Sequence, residues 1–209
     1  MGIKKTISYA PGTAGSTWTL RTSGFGTTHI RSIVYANNLY VAGGSDGSLT
    51  TSTNGLIWTS RTSGFGSNNK HVLSFTYSSF YVAGGANGIL NTSTDGISWN
   101  LRTSGYAGNI NSLIFNSPNT YVFVGDIGTL STSTNAIVWT LRTFGANNTH
   151  NSITYGNGIY AVCGSNGNFI KTSTDAIIWT SRTTGGSVEC QLKQKIYSGS
   201  IFVSGGGPN

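Results

Sequence analysis

The sequence has little charge and few acidic side chains. Only 8% of its 209 residues are charged, and Asp and Glu together number five. Glycoside hydrolysis needs two positioned carboxylic groups, but Asp95 and Asp175 occupy a repeated turn motif, Asp46 and Asp126 occupy other turns, and Glu189 stands alone. The chain also lacks a glycine-rich phosphate loop, a Ser/His/Asp arrangement and metal-ligand spacing. We therefore expect no catalytic residues, no cofactor and no enzymatic activity.

Long apolar runs are absent as well. The chain has no stretch of 18 apolar residues, and the two lysines in residues 1–10 are not followed by an apolar segment. This pattern predicts neither a membrane span nor a signal peptide. The two cysteines, Cys163 and Cys190, are too few to distinguish a disulfide from two thiols.

The net charge of +7 comes from 12 basic and five acidic residues. Five of the basic residues are arginines that recur once per sequence repeat, and the rest of the chain is nearly balanced in charge. Nucleic-acid surfaces are instead built from clustered Lys and Arg. We expect neither nucleic acid nor a membrane as a partner.

The sequence contains a repeat of about 40 residues. The five tryptophans are spaced 40, 41, 40 and 40 residues apart: Trp18, Trp58, Trp99, Trp139 and Trp179. Each is followed three positions later by an arginine. A fixed period of this length is typical of repeat folds in which neighbouring units bury one another. We expect each tryptophan to pack in a core and each arginine to charge an outer edge strand, with contacts to anionic groups as the alternative role for the arginines.

One repeat divides into four strand-like runs, at residues 29–36, 39–44, 48–53 and 56–62. The turns between them fall at Asn37-Asn38, Asp46-Gly47 and Asn54-Gly55. Such pairs favour tight hairpins because the turn positions need positive φ. Each repeat is thus predicted to be a four-stranded antiparallel meander, the blade of a β-propeller.

The ends of the chain predict how such a propeller closes. The C-terminal runs near residues 191–197 and 200–205 supply two strands, and the N-terminal runs at residues 4–10 and 18–22 supply two more. Closure hides sheet edges that an open array would expose. The expectation is an all-β, single-domain, monomeric five-bladed propeller over residues 1–209.

The segment Ser-Thr-Asp-Gly-Ile-Ser-Trp at residues 93–99 resembles the Asp-box, or bacterial neuraminidase repeat, of sialidase-like propellers. The whole repeat also resembles the Trp-Thr-Ser-Arg-Thr-Ser-Gly repeats of phage-tail propeller proteins. The acid is kept at Asp95 and Asp175 and replaced by Asn54 and Asn135. The resemblance implies that this box lies on the hairpin between the third and fourth strands and that its acid is structural. It implies a fold, not sialidase activity.

The connections between repeats are the candidate binding loops, because loops on a rigid scaffold are where ligands usually bind. Aromatic rings beside amide and acidic groups suit sugars, whose C–H faces stack on rings. The candidate ligand-binding residues are Phe25, Phe65, Tyr106, Phe144, Asn68, Asn109, Asn147, His29, His71, His150, Asp46 and Asp126. The alternative is that these aromatic side chains only pack each loop onto the next repeat.

The three histidines fall at about the same repeat position, just before the first strand. Several imidazoles around one axis could bind a metal. No carboxylate repeats with them, so equivalent polar positions inherited by duplication are the preferred interpretation, and no metal site is predicted.

The functional expectation is a non-enzymatic binding module. The leading hypothesis is multivalent, lectin-like glycan recognition by part of a phage tail or host-surface-binding protein, at a virion or in an extracellular setting, since repeated weak sites gain by avidity. The alternative is a structural virion component or protein-interaction scaffold without saccharide affinity, whose partners are virion proteins.

Overall fold

The computed structural model describes residues 19–66, 72–116, 119–142, 144, 148–165, 170–182, 191–197 and 202–207. These residues form an all-β fold whose strands we number in chain order. The first two four-stranded sheets contain β1 Ile30–Ala36, β2 Leu39–Gly44, β3 Leu49–Ser52, β4 Thr59–Arg61, β5 Val72–Tyr77, β6 Tyr81–Gly85, β7 Ile89–Ser93 and β8 Asn100–Thr103. The next two contain β9 Ile110–Asn116, β10 Thr120–Gly125, β11 Leu130–Ser133, β12 Thr140–Arg142, β13 His150–Gly156, β14 Ile159–Gly164, β15 Ile170–Ser173 and β16 Thr180–Arg182.

Each of these sheets is a meander in which consecutive strands are neighbours, and the strand pairs are antiparallel. The predicted four-strand repeat is confirmed, and the second strand of the first repeat has the predicted bounds. The fourth strand lies at the sheet edge and carries an arginine in all four sheets, as predicted: Arg61, Arg102, Arg142 and Arg182.

The turns between strands form because asparagine, aspartate and glycine tolerate left-handed backbone. Asn37 and Asn38, between β1 and β2, have φ of 48° and 58°. Asp46 and Gly47, between β2 and β3, have φ of 58° and 68° within a short 3₁₀ turn over Ser45–Gly47. All three predicted turn positions therefore lie where the structure turns, including Gly55 with φ of 71°.

The C-terminal strands β17 Gln191–Tyr197 and β18 Phe202–Gly207 form a two-stranded sheet in the described part of the chain. The sequence predicts that two N-terminal strands complete a fifth blade. Residues 4–10 and Trp18 lie outside the described residues, and residues 19–22 carry no strand, which corrects the strand predicted at 18–22.

Two compact units make up the chain. The first comprises Met1–Ala86 and Asn91–Leu101, and the second comprises Asn87–Leu90 and Arg102–Asn209. In the first unit, β5 packs against β1 and β2. A core cluster there joins Phe25, Ala42 and Trp58, so the packing role expected of this tryptophan is confirmed.

In the second unit, β13 packs against β9 and β10, and β17 packs against β13 and β14. Its core cluster contains Val122, Val124, Leu130, Phe144, Ile153, Tyr160, Val162 and Ala176, and the partly buried Trp179 packs against it. Among the described residues, no helix is long and apolar enough to span a membrane.

Candidate functional site

The connection from the third to the fourth strand has the same structure in every four-stranded sheet. We call these four connections the outer hairpins: residues 53–58, 94–99, 134–139 and 174–179. In the first, Asn54 Oδ1 accepts hydrogen bonds from the backbone N–H groups of Leu56 and Ile57 at 2.9 and 3.0 Å. Ser52 Oγ accepts from Gly55 N at 2.9 Å, and the Trp58 indole donates to the Gly55 carbonyl at 3.1 Å. The turn is thus tied both to its own backbone and to the core tryptophan.

Aspartate plays the same part in two of the outer hairpins. Asp95 Oδ1 accepts from Ile97 N and Ser98 N, both at 2.8 Å. Asp175 Oδ1 accepts from Ile177 N and Ile178 N at 2.8 and 2.9 Å. These backbone hydrogen bonds favour the charged carboxylate and lower the pKa of both acids. Both carboxylates therefore hold the backbone of their own turn.

The tips of the outer hairpins expose aliphatic side chains. Ile57 is 73% exposed, Val138 is 68% exposed and Ile178 is 74% exposed, and all three occupy the residue just before the hairpin tryptophan. The preceding position adds further exposed aliphatic side chains: Leu56, Ile97, Ile137 and Ile177. Single exposed apolar residues are ordinary, but here a pair recurs at the same two positions in three of the four outer hairpins, the second having Ser98 at the second position.

The edge-strand arginines are held by threonines on the neighbouring third strand. Arg61 Nε donates to Thr51 Oγ1 at 2.9 Å, and Arg182 Nε donates to Thr172 Oγ1 at 2.6 Å. The guanidinium groups are thereby fixed across the sheet beside the outer hairpins. Sequence analysis missed this contact, although a threonine ten residues before each arginine recurs in the sequence and gives the signal.

A cleft lies beside the outer hairpin of the third sheet, within the second unit. Its volume is about 290 Å³, and its walls include Thr132, Thr140 and Arg142 of that sheet together with Val138. Ile177, from the next hairpin, lines the same cleft. The fourth sheet has an equivalent cleft of about 270 Å³, lined by Thr172, Thr180, Arg182 and Ile178 among others. Hydroxyl groups, one guanidinium group and aliphatic tips thus recur together on neighbouring sheets.

Three of the four candidate loop rings are buried, which is the packing role that the sequence left open as the alternative to ligand binding. Phe25 is 5% exposed, Phe65 is 1% exposed and Phe144 is 5% exposed. Phe25 is buried because Gly44, nineteen residues later at the end of β2, has no side chain, and a Cβ built there would lie 2.7 Å from Cε1 of Phe25. The glycine therefore leaves space for the ring, which packs in the first core cluster with Ala42 and Trp58. These rings present no stacking face to a sugar, and the packing alternative describes them.

Tyr106, Asn109 and Asp126 are brought together in the second unit. The half-buried Tyr106 hydroxyl donates to the Asp126 carbonyl at 2.6 Å, and burial raises the pKa of that tyrosine. The Asn109 carbonyl accepts from Asp126 N at 3.2 Å, and the Asp126 carboxylate accepts from Asn111 Nδ2 at 2.9 Å. These polar groups are bonded to one another, so they fix the loop. Asn68, His71 and Asn147 lie outside the described residues.

The histidines do not share one repeat position. His150 pairs with Gly164 in the strand register, as Ile30 pairs with Gly44, whereas His29 precedes Ile30 by one residue. His29 is exposed, and its carbonyl accepts from the backbone N–H of Ser45, next to Asp46, at 2.8 Å. His150 is fully buried, with Nδ1 3.1 Å from the Thr129 carbonyl. No cluster of potential metal ligands occurs within the described ranges.

The comparisons with known proteins point to one family. The model of the DUF6242 beta propeller domain matches residues 17–143. Comparison with curated proteins finds no match.

Among solved structures, the computationally designed Ika8 protein is 14% identical at a TM-score of 0.66, with 90% of this chain and 58% of that chain covered. YCF48 bound to D1 peptide is 16% identical at a TM-score of 0.66, covering 81% and 57%. The WD40 beta propeller domain of Doa1 is 15% identical at a TM-score of 0.63, covering 86% and 62%. The chain spans less than two thirds of each of these structures, and the likeness establishes the β-propeller fold alone.

Proposed function

Because the chain belongs to the DUF6242 beta propeller domain family, we propose that it is a non-enzymatic module that binds partner proteins through its outer hairpins. The observation that carries the proposal is the recurring pair of exposed aliphatic side chains at these tips, with Ile57, Val138 and Ile178 each more than two thirds exposed. A partner that covers such a side chain gains on the order of 1 to 2 kcal/mol from its burial. Several equivalent tips would add through avidity.

The rigid turns beneath the tips support the same proposal. Their backbone is fixed by the Asx side chain and the indole contact, as at Asn54 and Trp58. A preorganised surface loses little conformational entropy when a partner binds. One of the similar propellers, YCF48, has been solved bound to a peptide, which is a precedent for a peptide ligand on this fold.

A peptide array tests this proposal. We expect wild-type protein to bind a subset of an array of random dodecapeptides, and Val138→Ser with Ile177→Ser and Ile178→Ser to lose that binding. Ile127→Ser is the matched control, because Ile127 is 72% exposed but lies between β10 and β11. Equal binding by the triple variant, or no binding by folded wild type, would contradict protein recognition at the outer hairpins.

Glycan recognition is the second candidate function. It is favoured by the hydroxyl groups that line the two clefts, such as those of Thr132, Thr140, Thr172 and Thr180, because sugar hydroxyls need donors and acceptors. It differs from the loop-face site expected from sequence, whose phenylalanine rings are buried. Binding to a glycan array, with no binding to peptides, would favour this candidate over protein recognition.

We also propose that the chain closes as a five-bladed, Asp-box-type propeller of the kind used in phage tails or host-surface-binding proteins. The two-stranded sheet of β17 and β18 supports a fifth blade, to which we propose that residues 4–10 add a further strand. Removal of residues 1–22 would then expose a sheet edge and lower the melting temperature by several degrees. An unchanged melting temperature would contradict closure by the N-terminal strands.

A further inference from the structure

The cleft beside the outer hairpin of the third sheet combines an apolar wall with a fixed positive charge. Val138 and Ile177, from successive hairpins, supply the aliphatic wall, and Arg142 supplies the charge. Both aliphatic side chains are exposed, at 68% for Val138 and 48% for Ile177. A ligand that fills this cleft, which has a volume of about 290 Å³, contacts both the aliphatic wall and the guanidinium group.

Arg142 is anchored but not neutralised. Its Nε donates to Thr132 Oγ1 at 2.8 Å, which leaves the two terminal nitrogens of the guanidinium group to other acceptors. Within the described part of the chain, no carboxylate forms an ion pair with Arg142. Asp175 lines this cleft and the equivalent cleft of the fourth sheet. Its hydrogen bonds favour the charged carboxylate, and its Oδ1 accepts from two backbone N–H groups of its own turn and from Ser173 Oγ at 2.9 Å, so that oxygen is held by the turn and not by Arg142.

The same combination recurs on the fourth sheet. Its cleft of about 270 Å³ contains Arg182 and Ile178, and Arg182 Nε is anchored on Thr172. The arginine, the threonine that anchors it and an aliphatic hairpin residue thus recur on two sheets, whereas an aliphatic residue from a second hairpin, Ile177, lines only the cleft of the third sheet.

We propose that each cleft binds a segment of a partner protein in which an acidic side chain lies next to an aliphatic one. The inference rests on the proposed protein-binding function and adds the chemical class of the ligand. A guanidinium group pairs a carboxylate with two parallel hydrogen bonds, and Val138 and Ile177 cover the neighbouring aliphatic side chain. The net charge of +7 favours encounter with an acidic partner. An acidic saccharide would meet the same guanidinium group, but it has no aliphatic side chain to cover this wall.

The experiment is an array of hexapeptides in matched pairs. One member of each pair has Asp or Glu next to Leu, Ile or Val, and the other member has Asn or Gln in place of that acid. Wild type is expected to bind the acidic member at least 10-fold more tightly than the amide member, because a hydrogen bond to a charged group is lost. Arg142→Gln with Arg182→Gln is expected to remove this preference. Arg142→Lys with Arg182→Lys retains the positive charges and is expected to keep part of the preference for acidic peptides. Arg31→Gln, which changes an exposed arginine on β1, should leave that preference intact.

Thermal melts establish that each variant is folded before its affinities are compared. Equal affinity for acidic and amide peptides, or a preference that survives the double glutamine variant, would overturn the inference. Wild type could instead bind neutral aliphatic peptides that the variant with Val138, Ile177 and Ile178 changed to serine does not bind. That result would support protein recognition at the outer hairpins and overturn the requirement for an acidic side chain. Binding of an oligogalacturonate in place of peptides would overturn both the peptide class and the proposed function.

Discussion

The Nε atom of Arg142 donates a 2.8 Å hydrogen bond to Oγ1 of Thr132, ten residues earlier on the neighbouring strand. The same contact joins Arg61 to Thr51 in the first sheet at 2.9 Å. An arginine tied down in this way has less rotamer freedom to lose when a ligand binds. The edge strand therefore carries a preorganised positive charge beside each of these hairpins.

Replacing Thr132 by valine tests the anchor. The substitution keeps the shape of a side chain that is 6% exposed but removes the acceptor, and the loss of a hydrogen bond to a charged donor costs about 1 kcal/mol of unfolding free energy. The exposed Thr134→Val is the control, with an expected change below about 0.5 kcal/mol. Urea denaturation measures the unfolding free energy of both variants. Equal losses in Thr132→Val and Thr134→Val would show that the contact with Arg142 does not stabilise the fold.

The outer-hairpin acid accepts hydrogen bonds and needs no charge for that role. Asp95→Asn should therefore change the unfolding free energy by less than about 0.5 kcal/mol at pH 7, since Asn54 and Asn135 make the same two bonds. Asp95→Ala leaves the N–H groups of Ile97 and Ser98 to water and should cost about 1 kcal/mol. Guanidinium denaturation distinguishes them, and a loss in Asp95→Asn as large as that in Asp95→Ala would mean that the charge is what matters.

Two glycines with the same backbone should tolerate alanine differently. Gly47 and Gly55 have φ of 68° and 71°, so each substitution costs about 1 to 2 kcal/mol for left-handed backbone. A Cβ on Gly47 would lie 1.9 Å from the Gly66 carbonyl oxygen, whereas a Cβ on Gly55 finds only the edge of Tyr40, at 3.8 Å. We expect Gly47→Ala to cost at least about 3 kcal/mol more than Gly55→Ala. Similar denaturation midpoints would contradict this close approach.

Stability should fall as the protein is acidified because His150 is buried. Desolvation lowers the pKa of its imidazole, a hydrogen bond to Thr129 opposes that effect, and the positive charge of Lys171 lowers the pKa further. The unfolded chain, with a histidine pKa near 6.5, then binds more protons than the folded chain. The unfolding free energy is thus intact above about pH 6.5 and declines below it, toward the lower folded-state pKa.

The matched variant for this prediction is His150→Ile, because Ile110 occupies the equivalent place opposite Gly125. Denaturation curves between pH 5 and 8 should show a smaller decline in the variant than in wild type. Parallel pH profiles would mean that His150 titrates in the fold as it does in the unfolded chain. The other two histidines are common to both proteins and cancel in the difference.

The strands and turns were predictable because their signals are local. The period of the tryptophans and the Asn and Gly turn positions are enough to define the meander, and β2 has the bounds that its sequence predicts. The sequence left open whether the loop aromatic rings bind a ligand or pack, because the burial of Phe25 depends on a distant residue, Gly44, nineteen positions away. A glycine at the end of each second strand is the sequence feature that could have indicated it.

The candidate site was only partly predictable. The sequence predicted that Asp95 and Asp175 lie on the hairpin between the third and fourth strands, where the structure has them, but not the backbone hydrogen bonds that they accept. The cleft of the third sheet was missed because it forms where side chains from two hairpins, Val138 and Ile177, meet across neighbouring sheets. No local sequence pattern shows that these two side chains come together, because their proximity depends on how one repeat packs on the next.

The most direct test of the account is amide hydrogen exchange of the full chain with and without the tightest-binding array peptide. The account predicts that protection increases in residues 133–142 and 173–182, which contain the outer hairpins and edge strands of the two clefts. Protection confined to the inter-repeat loops, such as residues 23–28 and 104–109, would contradict the claim that the outer hairpins are the binding surface.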